Sequence, residues 1–247
     1  MIKDIFIGLT GYIRHLPLLP KLGLWKYFFA PFIAGLVLIG AILAATATLS
    51  DNLGNWMISW YKWELGSEVI STFGTLIGGI LIFIVGIILA KYVVMILASP
   101  FMSPLSLKIE SNHPQPPARP SASLNATQGI IRGLRLAGSN IFKELSLTAV
   151  LLILTLLLPF ISPITAVLIF LIQAYYAGGG NMDFTLERYY GVRESKLFVK
   201  ANRGLAIGNG IVFVGLLMLG LGFLIAPPLA TMAVTPDVLD RLDKTLL

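Results

Sequence analysis

Gly23-Leu24-Trp25-Lys26, just ahead of a long uncharged run, is the most suggestive small site in this chain. A glycine at a helix start lets unpaired backbone N–H groups face an anion. The helix dipole adds to the attraction and Lys26 supplies a full charge, so an oxyanion fits there. The other reading of the same residues is that Trp25 and Lys26 anchor a membrane span at headgroup level. A second polar group gathers further on: Gln173, Asn181, Asp183, Glu187 and Arg188. Gln173 stands inside an apolar arm and needs a hydrogen-bond partner, either a neighbouring helix or a permeating ion with its water. Asn209, inside the last apolar run, has the same two readings. Asp183 and Arg188 read as a solvated or paired loop element rather than as catalytic groups.

Other chemistries have little to work with. Cysteine is absent, which excludes disulfides, zinc thiolate sites, iron–sulfur clusters and thiol nucleophiles. The two histidines, His15 and His113, stand far apart in flanking segments, so the pattern offers neither a histidine metal cluster nor a Ser-His-Asp relay. No cofactor is implied, and the expectation is that the protein is not an enzyme. A net charge of +6 does not point to nucleic acid, because the basic residues flank apolar runs in the manner of membrane topology.

The elements that must position these residues belong to an integral membrane protein. Of 247 residues 56% are hydrophobic and 12% charged, about half the charge of a soluble domain. Residues 1–16 place Ile2, Ile5, Phe6, Leu9, Ile13 and Leu16 at helical spacing, which predicts an amphipathic helix in the interface, with the helix-start loop completing 1–26. Residues 27–49 are an uncharged run long enough to cross, and a second long helix is expected over 69–98. Between these spans Trp56, Trp60, Tyr61 and Trp63 suit an interfacial aromatic belt. Ser99-Pro100 and Ser103-Pro104 are expected to end the second helix, and the Pro/Ser-rich stretch 111–123 to form an aqueous loop. Residues 124–144 recover helical spacing and predict a helix along the surface.

The central run, 145–182, has no Asp, Glu, Lys, Arg or His and is broken by Pro159 and Pro163. Its two apolar arms of 14 residues would each cover roughly 21 Å, short of a ~30 Å hydrocarbon core. That length favours a re-entrant hairpin over 145–177 above the alternative of two strongly tilted spans; broken helices of this form line a path or site in membrane proteins. The following Gly178-Gly179-Gly180 reads as a flexible or closely packed turn, and Lys196, Lys200 and Arg203 as one face of a short helix. Residues 204–236, with Pro227-Pro228, either span once or form a second hairpin. Lys and Arg number four in 1–26, one in 50–68, six in 91–144 and five in 183–203, which puts the N-terminus and both flanks of the central hairpin in the cytoplasm. Glycine-rich helix faces make a homo-oligomer plausible.

Several stretches together resemble the CysZ-type sulfate permease family, which shares its domain with the etoposide-induced-protein membrane family. They are Gly23-Leu24 with Lys26 and Pro31, Ser99-Pro100-Phe101 leading to Glu110, the proline-broken hairpin running into Tyr175, Asp183-Phe184 and Arg188, and Arg203, Gly208 and Gly210 opening the last run. The resemblance implies an oligomeric all-α inner-membrane protein with two long transmembrane helices, two re-entrant hairpins and amphipathic interfacial helices. The second hairpin would break at Pro227-Pro228. It implies uptake of sulfate, with sulfite possible, to feed cysteine synthesis. Gly23, Leu24 and Lys26 would bind the anion, and Trp25 stands where the family has the first of two basic residues. Glu110, Gln173, Asn181, Asp183, Arg188, Arg203 and Asn209 are candidates for the pathway. The alternative reading is a non-transporting assembly protein whose hairpins pack an oligomer.

Overall fold

The computed structural model of the chain describes residues 1–29, most of 31–44, 91–117 apart from 94, 126–219 and 222–246. The expected spans over 27–49 and 69–98 fall largely outside these residues, as does the aromatic belt. The described elements are all helical: α1 (Ile2–Arg14), α2 (Leu18–Lys21), α3 (Lys26–Val37), α4 (Lys91–Glu110), α5 (Ala126–Leu157), a 3-10 turn at Pro159–Ile161, α6 (Ser162–Leu186), α7 (Val192–Ala201), α8 (Arg203–Met218) and α9 (Gly222–Leu246). Among the described residues three stretches are long and apolar enough to cross a membrane, Lys91–Glu110, Thr127–Leu157 and Pro159–Leu186, and α7 with α8 would make a bent fourth.

Helices α5 and α6 form an antiparallel hairpin about the proline turn. Near the tip the Thr155 and Thr165 hydroxyls lie 2.6 Å apart, and at the far end Arg132 of α5 meets Asp183 of α6. The arms are longer than their uncharged cores. α5 runs unbroken through Arg132, Arg135, Lys143 and Glu144 for 32 residues, roughly 48 Å, and α6 for 25 residues, roughly 38 Å. The expected surface helix over 124–144 is therefore the first part of the hairpin itself. Its charges are accommodated because Arg132 and Glu144 are buried against partners on α6 and α4.

Two further expectations need correction. Helix α4 does not end at Pro100 or Pro104 but continues to Glu110. Pro100 has no N–H for the Ile96 carbonyl, and Ser99 Oγ takes that place, donating to Ile96 O at 2.9 Å. Gly178-Gly179-Gly180 is no turn either, since α6 passes through it to Leu186. A Cβ at Gly178 would lie 1.8 Å from Ala206 O, and one at Gly210 1.8 Å from Ala174 O. Glycine is what lets the backbones of α6 and α8 approach so closely, which offsets its cost of about 1 kcal/mol inside a helix.

Helices α8 and α9 form a second antiparallel hairpin, pairing Asn202 with Arg241 and Asn209 with Ala230. α8 ends at Met218 and α9 begins at Gly222; Pro227 and Pro228, where the resemblance placed the break, sit inside α9. α7 meets α8 at 91°, so Arg203 opens α8 and leaves the lysine face of α7. Helix α1 packs its glycines, Gly8 and Gly11, onto α8 and α9, whereas Ile2, Phe6 and Ile13 point outward. Its end is tied down by Arg14, which holds Asp237 through both carboxylate oxygens at 2.8 Å.

Candidate functional site

At the N-terminal end of α3 the chain makes a tight turn. Gly23 adopts φ 61°, in the left-handed region that costs any residue with a Cβ about 1–2 kcal/mol. Gly23 and Leu24 spend their N–H groups on Pro20 O and Leu19 O, at 3.2 and 3.0 Å. Leu24 is fully buried among Met102, Leu105, Ile109 and Phe184, which fixes the turn against α4 and α6. Trp25 is exposed, and the Lys26 ammonium lies 5.2 Å from the Tyr27 ring centre. The Gly23 turn thus presents a helix start and one cation at the end of the bundle where α4 and α6 finish.

At that same end the pathway candidates form a buried network. Arg188 donates from Nε to Glu110 Oε2 at 2.7 Å, from its amino groups to Ser106 Oγ at 2.7 Å and to Phe184 O at 2.8 Å. Tyr189 donates to the other Glu110 oxygen at 2.8 Å. A second knot sits beside it: Asp183 accepts from Arg132 Nε and its terminal amino group, each at 2.7 Å, and from Ser195 Oγ. Charge-assisted, bidentate pairs of this kind have fixed geometry. Glu110 ends α4, Asp183 lies in the last turns of α6 and Arg188 follows its C-cap, Glu187, so Asp183 and Arg188 are each paired at the end of a helix.

The remaining candidates separate. Asn181 Nδ2 donates to Asn209 Oδ1 at 2.8 Å, and Asn209 in turn donates to Ala230 O at 3.0 Å, which joins α6, α8 and α9. Gln173 is buried, with Oε1 lacking a partner among the described residues. Arg203 is exposed at the start of α8 and joins none of these clusters. Glu187, just beyond the last turn of α6, is buried with Oε1 unpartnered among the described residues. Burial pushes its carboxyl up to about 7, opposed by a hydrogen bond with Ser103 and raised further by Asp183.

Sequence reasoning missed the ion pair between Lys91 and Glu144, both fully buried, with the Tyr92 hydroxyl on Glu144 Oε2 at 2.8 Å. In the sequence each stands only at the edge of an uncharged stretch, with nothing to mark it as one of a pair. Arg132 and Ser195 were missed too: Arg132 lay on the polar side of a presumed surface helix, and Ser195 carries no signal of its own.

A family model described as sulfate transporter CysZ/Etoposide-induced protein 2.4 matches residues 12–228. The chain belongs to this family. That span takes in the Gly23 turn, both buried knots and most of both hairpins, so the family is shown over nearly every element described. The family description carries a membrane function of the sulfate-transporter kind. No curated protein matches the chain.

Two cavities adjoin the Asp183 knot. The narrower, about 40 Å³, lies between α4, α5 and α6 and is lined by Tyr92, Asn140, Tyr176, Asp183 and Glu187. The wider, about 250 Å³, shares Asn140, Tyr176 and Asp183 and opens between α5, α6 and α7.

Proposed function

We propose that this protein moves a small oxyanion, sulfate in the first place and sulfite as a second substrate, across the bacterial inner membrane to supply sulfur assimilation. The observation that carries this reading is membership of the sulfate-transporter family over residues 12–228. The anion is first held at the Gly23 turn, where the α3 helix start and the Lys26 ammonium replace part of its hydration shell. It then follows the polar end of the α5–α6 hairpin, with Glu110, Asp183 and Arg188 shaping the route, Asn181 and Asn209 bracing it, and Gln173 and the exposed Arg203 beside it. The N-terminus and the charged end of the bundle face the cytoplasm, as the distribution of Lys and Arg favours. Both hairpins enter and leave by that face, and protomers associate through glycine-lined helices. No chemical transformation is part of the scheme.

A second reading has an observation in its favour: Glu110 with Arg188, and Asp183 with Arg132, are paired to each other, as they would be in a scaffold whose hairpins only pack an oligomer. Radiolabelled sulfate separates the two. A transporter in proteoliposomes accumulates it above empty vesicles, with competition by sulfite and loss on Lys26→Ala. Purified protein that passes no oxyanion at all is the scaffold.

A further inference from the structure

Three lysines crowd the wider cavity with almost nothing to answer them. On α5, Asn140 and Lys143 are three residues apart; on α7, Lys196 and Lys200 are four apart, so both pairs face the gap between the helices. The lining holds three cations and one acid, Asp183, and that acid is already neutralised from behind by Arg132. Among the described residues no carboxylate pairs with Lys143, Lys196 or Lys200. Lys196 is fixed in place by donating to Ser139 Oγ at 2.7 Å. Ammonium groups gathered in this way repel one another, and a doubly charged anion between them turns each repulsion into an attraction. The neutral groups suit the same guest, since Asn140 and Tyr176 can both donate inward. At about 250 Å³, and open on one side, the cavity has room for one oxyanion that keeps part of its shell.

We propose that the cavity between α5, α6 and α7 is a second oxyanion site, built by Lys143, Lys196 and Lys200 with Asn140 and Tyr176, and distinct from the Gly23 turn, none of whose residues lines it. It holds a tetrahedral oxyanion, either free sulfate or the phosphate of an anionic lipid. Naming sulfate rests on the transport reading; the site itself does not. Because Asn140 and Tyr176 also line the narrow cavity beyond, an ion released here has only one shared wall to pass.

The test is equilibrium binding of radiolabelled sulfate to the full chain in neutral-lipid nanodiscs, with mass spectrometry of lipid retained from mixed phosphatidylglycerol bilayers. Lys143→Gln/Lys196→Gln/Lys200→Gln is compared with the unaltered chain and with Lys108→Gln, an exposed lysine outside the cavity. Loss of sulfate binding by about tenfold or more in the triple variant identifies the free ion as guest; loss of retained phosphatidylglycerol identifies the lipid phosphate. If the triple variant keeps both, the site is refuted. Lys143→Gln and Lys200→Gln singly carry the test if the triple variant misfolds, because both side chains are exposed. Binding that depends on these lysines in a protein showing no sulfate flux sinks the transport reading and leaves the site standing. Flux unaffected by the triple variant, with binding unchanged, does the reverse.

Discussion

Arg188 Nε lies 2.7 Å from Glu110 Oε2, with the two side chains 1% and 0% exposed. Glu110 ends α4 and Arg188 follows α6, so this contact clamps the charged ends of two candidate spans that are far apart in sequence. Removing one member of such a pair strands a buried charge at a cost of about 3–5 kcal/mol, more than the pair contributes. Glu110→Gln or Arg188→Met alone should therefore lower the melting temperature in detergent sharply. Glu110→Leu with Arg188→Met should recover a large part of the loss, and a double mutant no better than the worse single would refute the account.

The α6–α8 contact makes an equally sharp demand. Gly178→Val or Gly210→Val drives a side chain into the facing backbone, where even a Cβ would sit 1.8 Å from a carbonyl oxygen. Backbone cannot yield as a flexible side chain can, and the expected cost is about 3 kcal/mol or more. Gly138→Ala is the control, since its Cβ meets nothing within 4 Å among the described residues. In that helix it should stabilise by about 0.5–1 kcal/mol. Size-exclusion profiles and melting curves of the three variants decide the matter.

These two contacts mark the limit of what patterns in the chain reveal. That the protein is helical and built for a membrane was legible from charge-free runs, and the family from a few spaced residues. The length of the arms is not, because Arg132 and Glu144 give the stretch 124–144 the charge of a helix outside the lipid. A charge marks a surface only if it has no partner, and their partners lie 51 and 53 positions away. The glycine triplet misled for the same reason: Gly178 suits a turn in isolation, and only Ala206 opposite it explains why it stays in a helix. At Gly23 the sequence offers only a glycine before a helix start; the positive φ there, and the N–H groups of Gly23 and Leu24 turned back onto Pro20 and Leu19, depend on how the preceding turn folds.

At that turn, backbone and charge make different predictions. Gly23→Ala forces a Cβ into left-handed backbone and should cost about 1–2 kcal/mol of stability. Lys26→Ala should leave the fold alone, because among the described residues its ammonium makes only the contact with the Tyr27 ring, and should lower sulfate flux severalfold with an unchanged melting curve. Flux at the unaltered level in Lys26→Ala would remove the lysine from the anion's path.

Glu187 supplies the pH dependence. Its carboxyl is raised to about 7, chiefly by burial and further by Asp183, against Ser103, Arg188 and Arg132. It lines the narrow cavity with Asp183, whose charge Arg132 and Ser195 already hold. Below that value Glu187 is neutral and offers a proton; above it, a second negative charge faces any anion in the cavity. Sulfate keeps both its charges throughout, so the protein alone titrates, and flux should fall as pH rises through about 7. Stability has the same sign: a carboxyl raised above its unfolded value favours the fold fully below pH 4.5 and loses that advantage as pH climbs to about 7. Glu187→Gln mimics the protonated form and should hold both flux and melting temperature level across that window. A pH profile that survives this substitution unchanged would assign the titration to another group.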